Sequence, residues 1–442
     1  MALSSNHLEI LRKSLLDNKI DYVRFTWCDL NGISKCKIVP AWCIEKSENT
    51  LKSGVTATCN VLAFGPQGII PAIEIDETKI CSNCIILPAV ELYRDLVWAS
   101  EKDCKIAQVI CETFWMDRTP QQANPRFVAR AQLTKLKDLG YKLLSAFENE
   151  FVLKKDGKFV FDECSSETYN TITTSKYESF LTNVEKNLRH ADIMCPTIEV
   201  EFGGGQFEIT IECNEGIKAA DDSFTFKEAI KEMAQKCGMS ASFMSKISKV
   251  IGSSSHFNHS IKRVTTEDNA FFDASNKVKM SDECKHWMAG LIKHARALTA
   301  FYGPTTNCYD RLHNIYCPTI ANWGFENRLA SFRLVSNSEH GTYIENRIPS
   351  AASNPYLVLA ATVAAGIDGL VHKLECPPMN DENAVVLPKS LEEALDDLEK
   401  DTVLCKALGK ELVEWFCITK RVCEIKVLKT KEDAQVMYER II

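Results

Sequence analysis

In Ala146-Phe147-Glu148-Asn149-Glu150-Phe151, the two-residue period of a β-strand sends Glu148 and Glu150 to one face and Phe147 and Phe151 to the other. The two carboxylates then sit roughly 7 Å apart along the strand and repel each other unless water or cations lie between them. A lone Glu-x-Glu is most simply a solvent-exposed edge, but a second pair changes that reading. In Ile198-Glu199-Val200-Glu201 the glutamates again share a face, opposite Ile198 and Val200. After Phe202 comes Gly203-Gly204-Gly205, and then a stretch with Gln206, Glu208, Thr210 and Glu212 on one face and Phe207, Ile209 and Ile211 on the other. The glycines permit a tight bend that aims Glu201 and Glu208 at one point. A third segment, Tyr343-Ile344-Glu345-Asn346-Arg347, puts Glu345 and Arg347 on a shared face. Several glutamates on separate strands, with arginines nearby, suit hard cations that take oxygen ligands and bridge phosphates. His256 can add a nitrogen ligand, although a lone histidine is more often structural. His256 and His259 do not share a strand face and are not read as a zinc pair. Pattern alone stops at a divalent-metal phosphotransfer site.

Around these strands the chain reads as α+β. Strands over 141–154, 158–162 and 197–213 alternate with helices over about 176–189, 221–237 and 285–300, an order that suits a large domain on an antiparallel or mixed sheet. A helix over about 126–139 ends at Gly140, and the tail from about Leu391 is charged and helical. Toward the N-terminus, residues 6–17 carry leucines at helical spacing with Asn6 as the expected N-cap. Tyr22 to Trp27, the Asn31-Gly32 turn and Ile33 to Val39 predict a hairpin closed by Pro40. Residues 1–105 are read as a small domain and 106–442 as a large one, with the polar, proline-bearing stretch 117–125 as a junction.

The 442 residues suffice for two or three domains, and 45% hydrophobic with 25% charged residues is an ordinary globular composition. The net charge of −7 offers no general footprint for nucleic acid or acidic membranes. The longest apolar run, Tyr356 to Ile367, is shorter than the ~20 residues of a membrane span, and the first residues show no continuous apolar signal core. Nineteen cysteines form no disulfide framework, and Cys81 and Cys84 make the single Cys-x-x-Cys pair. Most others, such as Cys111, Cys213, Cys405 and Cys417, read as small hydrophobes in apolar elements. Reduced thiols imply a cytoplasmic location.

Taken in order, these segments resemble glutamine synthetases of the bacterial (class I) type, and within that family its lengsin branch. The hairpin from Arg24-Phe25 to Asn31-Gly32 is similar to the family's N-terminal β-grasp domain, and Glu148-Asn149-Glu150-Phe151 to its metal-binding strand. Glu201 to Glu208 resembles its Glu-x-x-Pro-Gly-Gln-x-Glu segment, and Gly252 to Ser260 its histidine loop. Arg311-Leu312, Asn327-Arg328, Arg333 and Ile344-Glu345-Asn346-Arg347 resemble its arginine-rich half. Asn354-Pro355-Tyr356-Leu357 and Ala364 to Gly369 resemble its C-terminal signature helix. The resemblance implies a small β-grasp domain before a catalytic domain with an antiparallel sheet and surrounding helices. It implies two Mg or Mn ions, one held by Glu150, Glu201 and Glu208 and the other by Glu148, His256 and Glu345, with ATP as co-substrate. Arg311, Gly252 and Glu150 would bind the glutamate, and Arg328 and Arg347 would serve catalysis. Arg333, Asn258 and Ser260 would contact the nucleotide. A ring homo-oligomer, a dodecamer of two hexamers, is implied as well.

The departures include both carboxylates expected to serve ammonium. The family's flap glutamate, which accepts an ammonium proton, has no counterpart in His313-Asn314-Ile315-Tyr316-Cys317-Pro318, and the aspartate loop of the N-terminal domain is replaced around Thr56 to Phe64 by an uncharged stretch. Asn258, Tyr343 and Ser350 stand where the family has a histidine, an arginine and an aspartate. Ammonium needs nearby negative charge and a base, so ordinary glutamine synthesis is expected to be impaired. Two readings follow: a Mg-ATP-dependent ligase joining glutamate or a related acid to an amine other than ammonia, or a lengsin-like assembly protein without turnover, with intermediate-filament proteins as implied partners. A weak glutamine synthetase is a minor third.

Overall fold

A computed structural model gives the fold. It describes residues 3–47, 49–65, 68–71, 82–90, 92–162, 167–247, 252–312, 314, 316–428, 430–439 and 442. The first sheet contains β1 (Tyr22–Cys28), β2 (Ser34–Pro40), β3 (Val55–Thr58), β4 (Asn83–Pro88), the short β5 (Arg94–Asp95) and β6 (Ile106–Trp115), in the order β2-β1-β6-β4-β3 with β5 on β6. The expected hairpin pairs Tyr22 with Pro40 through Cys28 with Ser34. Its turn is held by Asp29 Oδ1, which accepts from the backbone N–H groups of Asn31 and Ile33, both at 2.9 Å. Helices α1 (Ser5–Asp17), α2 (Ala41–Lys46) and α3 (Asn49–Ser53) lie in this part of the chain. The cap of α1 is Ser4, not Asn6: its hydroxyl accepts from the His7 N–H, three residues on, where the first orphan donors of a helix lie.

Strand β6 runs between β1 and β4, so this sheet takes in residues up to Trp115, beyond the boundary read at 105. Nearly every β6 residue is buried, as a central strand covered on both faces must be. Cys81, half of the Cys-x-x-Cys pair, lies outside the described residues. The described cysteines are free thiols. Cys84 is buried in β4 and its thiol is pushed up to about 12 by that burial, whereas Cys213 is exposed because its strand stops at Thr210.

The second sheet carries β7 (Tyr141–Lys155), β9 (Thr197–Val200), β10 (Gln206–Thr210), β13 (Ser255–Arg263), β14 (Trp323–Phe325), β15 (Phe332–Ser336) and β16 (Thr342–Asn346), ordered β14-β15-β16-β13-β7-β10-β9. Short strands β8 (Lys158–Phe159), β11 (Asn214–Glu215) and β12 (Ser240–Ser242) also pair with β7. The strand expected over 197–213 is broken into β9 and β10 by the glycine turn, with Gly205 at φ +63°. Around the sheet lie α4 (Pro125–Asp138), α5 (Thr171–His190), α6 (Lys218–Lys236), α7 (Asp282–Tyr302), α8 (Cys308–Arg311), α9 (Pro355–His372), α10 (Leu391–Lys400), α11 (Thr402–Leu408), α12 (Lys410–Lys420) and α13 (Lys431–Glu439). The fold is α+β.

The phenylalanines go where the alternation sends them. Phe147 meets Phe257 with ring centroids 4.8 Å apart, and Phe151 packs on Phe207, Phe226 and Phe243. This aromatic layer fixes one face of β7, β10 and β13, leaving the opposite face to carry the acidic side chains. Across the fold, Arg126 of α4 grips Asp221 of α6 in a bidentate pair (2.8 and 2.9 Å) and Glu112 of β6 at 2.9 Å, tying the two sheets' supports together. Helix α9 is long and apolar enough to cross a membrane, but it is a core helix packed against α7 and α4. Its contact with α7 is made by glycines. A Cβ on Gly290 would stand 2.1 Å from the Ala365 carbonyl oxygen, and one on Gly366 2.3 Å from the Trp287 ring. Because backbone blocks the first of these, Gly290→Ala is expected to cost about 1–3 kcal/mol, read as a lower urea midpoint. An unchanged midpoint would mean that the helices are not locked at this crossing.

Candidate active site

The strand register places the acidic side chains on a grid. In one row, Glu199 of β9, Glu208 of β10 and Glu150 of β7 stand directly opposite one another. In the next, Thr210 of β10, Glu148 of β7 and His256 of β13 are aligned. A third brings together Asn258 of β13, Glu345 of β16 and Arg333 of β15. With neighbouring strands ~4.8 Å apart, side chains from well-separated stretches of sequence meet over one patch of sheet. They line a cavity of about 530 Å³ that includes Glu148, Glu150, Glu201, Glu208, His256 and Glu345, together with Gly252, Arg311, Arg328, Arg333 and Arg347.

Two residues of the nucleotide set lie outside that lining. Asn258, half-buried on β13, donates from Nδ2 to Glu148 Oε1 at 2.6 Å. Ser260 is one further pleat along β13, paired with Leu144; strand rise carries it roughly 7 Å beyond Asn258. A Cβ at Gly252 would stand 2.6 Å from Arg311 Cγ, so the close approach that glycine allows here is to the arginine. Arg311 itself spends Nη1 and Nη2 on the carbonyls of Ile348 and Arg347 at 2.9 and 3.0 Å. Among the described residues, its other three N–H donors have no hydrogen-bond partner, and Arg311 lines the cavity.

The two flanks of the grid differ electrostatically. On the β13–β16 side, negative charge is already met: His256 Nδ1 lies 3.3 Å from Glu148 Oε2 and 3.4 Å from Glu345 Oε1. Glu345 also pairs with Arg333, at 3.0 Å, and with Arg347. Burial pushes the Glu148 carboxyl up, but the hydrogen bonds from His256 and Asn258 and the charges of His256 and Arg347 hold it below its ordinary value. On the β9–β10 side, burial and the neighbouring Glu150 push Glu201 up to about 8, and burial with Glu150, Glu148 and Glu201 pushes Glu208 up to about 10. Glu199 is raised by burial and by Glu148.

Two ligand groups result, each with its donor atoms within 4.8 Å of one another: Glu148, His256 and Glu345, and Glu199, Glu201 and Glu208. The first is the set implied by resemblance. The second contains Glu199 where the resemblance implied Glu150. The sequence carried the signal for Glu199, which shares a strand face with Glu201, but no site role was assigned to it. Both groups fit the oxygen-rich coordination of Mg or Mn, with one imidazole admitted by Mn.

The shifts fix the pH dependence of the cation-free protein. Between about pH 5 and 8, folded Glu201 and Glu208 keep protons that the unfolded chain, with carboxyls near 4.5, has released. Stability must therefore fall as pH rises through that window. A divalent cation, which needs the deprotonated carboxylates, opposes the fall. Melting temperatures measured from pH 5 to pH 8 in EDTA should decrease, and the gain from added Mn should widen; a flat gap contradicts the electrostatics described.

Comparison with known proteins agrees with the fold. Residues 122–438 match the family model for the glutamine synthetase catalytic domain. Glutamate–isopropylamine ligase of a Pseudomonas species is 32% identical over 440 residues, covering 94% of each chain. Human lengsin is 30% identical over 429 residues, covering 94% of this chain and 82% of that one. Glutamine synthetase of Thermotoga maritima is 29% identical over 429 residues, covering 92% and 94%. In fold, a solved GmaS–ADP complex superposes with a TM-score of 0.83 over 96% of this chain and 98% of that one, at 23% identity. The matched family model spans every strand of the acidic sheet and both arginines paired with Glu345, and the chain belongs to the glutamine synthetase family.

Proposed function

We propose that the protein is an ATP- and divalent-cation-dependent ligase that joins the side-chain carboxyl of glutamate, or of a related acid, to an amine bulkier than ammonia. The observation that carries this reading is the contrast within one cavity. Its floor keeps the carboxylates, His256 and arginines suited to phosphoryl transfer, while its entrance presents Tyr169, Phe202, Tyr316 and Cys317. Tyr169 and Tyr316 are 65% and 62% exposed, and Tyr316 meets Phe202 edge-on with centroids 6.4 Å apart. No carboxylate stands among residues 314 and 316–318.

In this reaction the glutamate carboxylate takes the γ-phosphoryl group of ATP, releasing ADP, and the amine then displaces phosphate from the acyl phosphate. Bound cations would offset charge on the transferring group. Arg333 and Arg347, already drawn in by Glu345, supply fixed positive charge beside them. Arg328 stands at the exposed side of the cavity, suited to the nucleotide phosphates, and Arg311 is suited to the amino-acid carboxylate. An apolar entrance suits an alkyl substituent in place of the negative charge that ammonium requires. The similarity to glutamate–isopropylamine ligase supports this reading. We further propose a cytoplasmic ring homo-oligomer, in keeping with the free thiols and with the family.

A second reading, a lengsin-like assembly protein without turnover, is favoured by the 30% identity to lengsin and by the missing ammonium carboxylates. Intermediate-filament partners belong to that reading alone. ADP release in Mg-ATP and glutamate, measured over a panel of amines, separates the two. An alkylamine should stimulate release at least about tenfold more than ammonia, and Glu208→Gln should abolish it. Intact rings that release no ADP with any amine would establish the assembly role. If the entrance recognises the amine, Tyr316→Ala should raise the amine KM about tenfold while leaving the ATP KM unchanged; equal changes in both would remove Tyr316 from amine recognition.

A further inference from the structure

Glu150 and Glu199 flank Glu208 from opposite sides of β10, yet their carboxylates are differently employed. Glu150 Oε2 accepts from Gln206 Nε2 at 2.7 Å and from the Ser254 N–H at 2.9 Å, and Oε1 accepts from the Ser254 hydroxyl. The Glu150 backbone N–H donates to the Ser254 carbonyl at 3.0 Å. Its side chain is thus turned toward the loop before β13. Glu199 sits on β9, the edge strand of the sheet, and among the described residues no hydrogen bond ties its carboxylate elsewhere. One carboxylate oxygen each from Glu199, Glu201 and Glu208 lies within 4.8 Å of the others.

We propose that Glu199 is a direct ligand of the cation held by Glu201 and Glu208. Oxygens bound at about 2.0–2.6 Å on opposite sides of an ion are roughly 4–5 Å apart, so the three carboxylates close on one cation by side-chain rotation alone. Like charges directly opposite across a strand pair are unfavourable, and Glu199 faces Glu208 in just that register; a cation between them turns the repulsion into attraction. Being on an edge strand, Glu199 can follow the ion without disturbing the aromatic layer beneath. This assignment rests on the family's use of divalent cations and not on the identity of the amine.

Mn titration of the full-length protein, followed by the electron paramagnetic resonance signal of the free ion, tests it together with melting in EDTA. The wild-type chain should take up two ions. Glu199→Gln, which keeps shape and removes charge, should weaken one of them at least tenfold and leave the other unchanged. The same variant should melt higher than wild type in EDTA, because a repelling charge has gone; a residue with a merely structural role would lower both. Two ions held by Glu199→Gln at wild-type affinity would overturn the assignment alone. A wild-type chain that binds no Mn would overturn it together with the proposed ligase function.

Discussion

Repulsion among carboxylates crowded on one sheet face is the constraint on which the rest of the structure depends. Strand rise and strand spacing define a lattice of a few ångströms, and β9, β10, β7, β13 and β16 all place glutamate or histidine on neighbouring lattice points. Such an arrangement persists only with something positive on top and something unyielding beneath. Beneath lies the phenylalanine layer of β7, β10 and β13. On top, the compensation is uneven. Arg333, Arg347 and His256 meet Glu345, and His256 also meets Glu148. Glu199, Glu201 and Glu208 are all held above the ordinary carboxyl range, first by burial and then by neighbouring carboxylates, Glu148 for Glu199 and Glu150 for Glu201 and Glu208.

That asymmetry makes the two candidate ligand groups unlike. In the Glu148 group, Arg333 and Arg347 already pair with Glu345 before any ion arrives. At the Glu201–Glu208 group, an ion must displace protons, and its binding is therefore coupled to pH and to stability.

The scaffold keeps the lattice in register from outside. Arg126 joins β6, α4 and α6 through Glu112 and Asp221. Lys420 Nζ reaches Asn31 Oδ1 at 2.8 Å, linking α12 to the first hairpin, while Asn354, the cap of α9, donates to the Asp29 carbonyl at 3.0 Å. The hairpin turn, the signature helix and the C-terminal helices are therefore mutually fixed. Against this rigid background the entrance is built from exposed aromatic rings, and chemistry at the mouth can differ from that of the family without disturbing the floor.

Much was legible in the order of residues. Glu148 and Glu150 against Phe147 and Phe151 announced a two-faced strand, and the Asn31-Gly32 turn and the helices over 125–138, 218–236 and 282–302 follow from local periodicity and capping, which act over a few residues. Motif order pointed to Glu148, His256, Glu345, Glu201 and Glu208, five members of the two candidate ligand groups, but put Glu150 where the geometry puts Glu199. Tertiary structure alone decided the rest. The start of α1 turned on the Ser4 hydroxyl, and β6 became central in the first sheet because it pairs with strands distant in sequence. Cross-strand register set Glu199 opposite Glu208, turned Glu150 toward Ser254 and left Ser260 beyond the cavity. Alternation tells which residues share a face; only pairing between distant strands tells which of them stand side by side, because that choice is made by contacts the local chain does not contain.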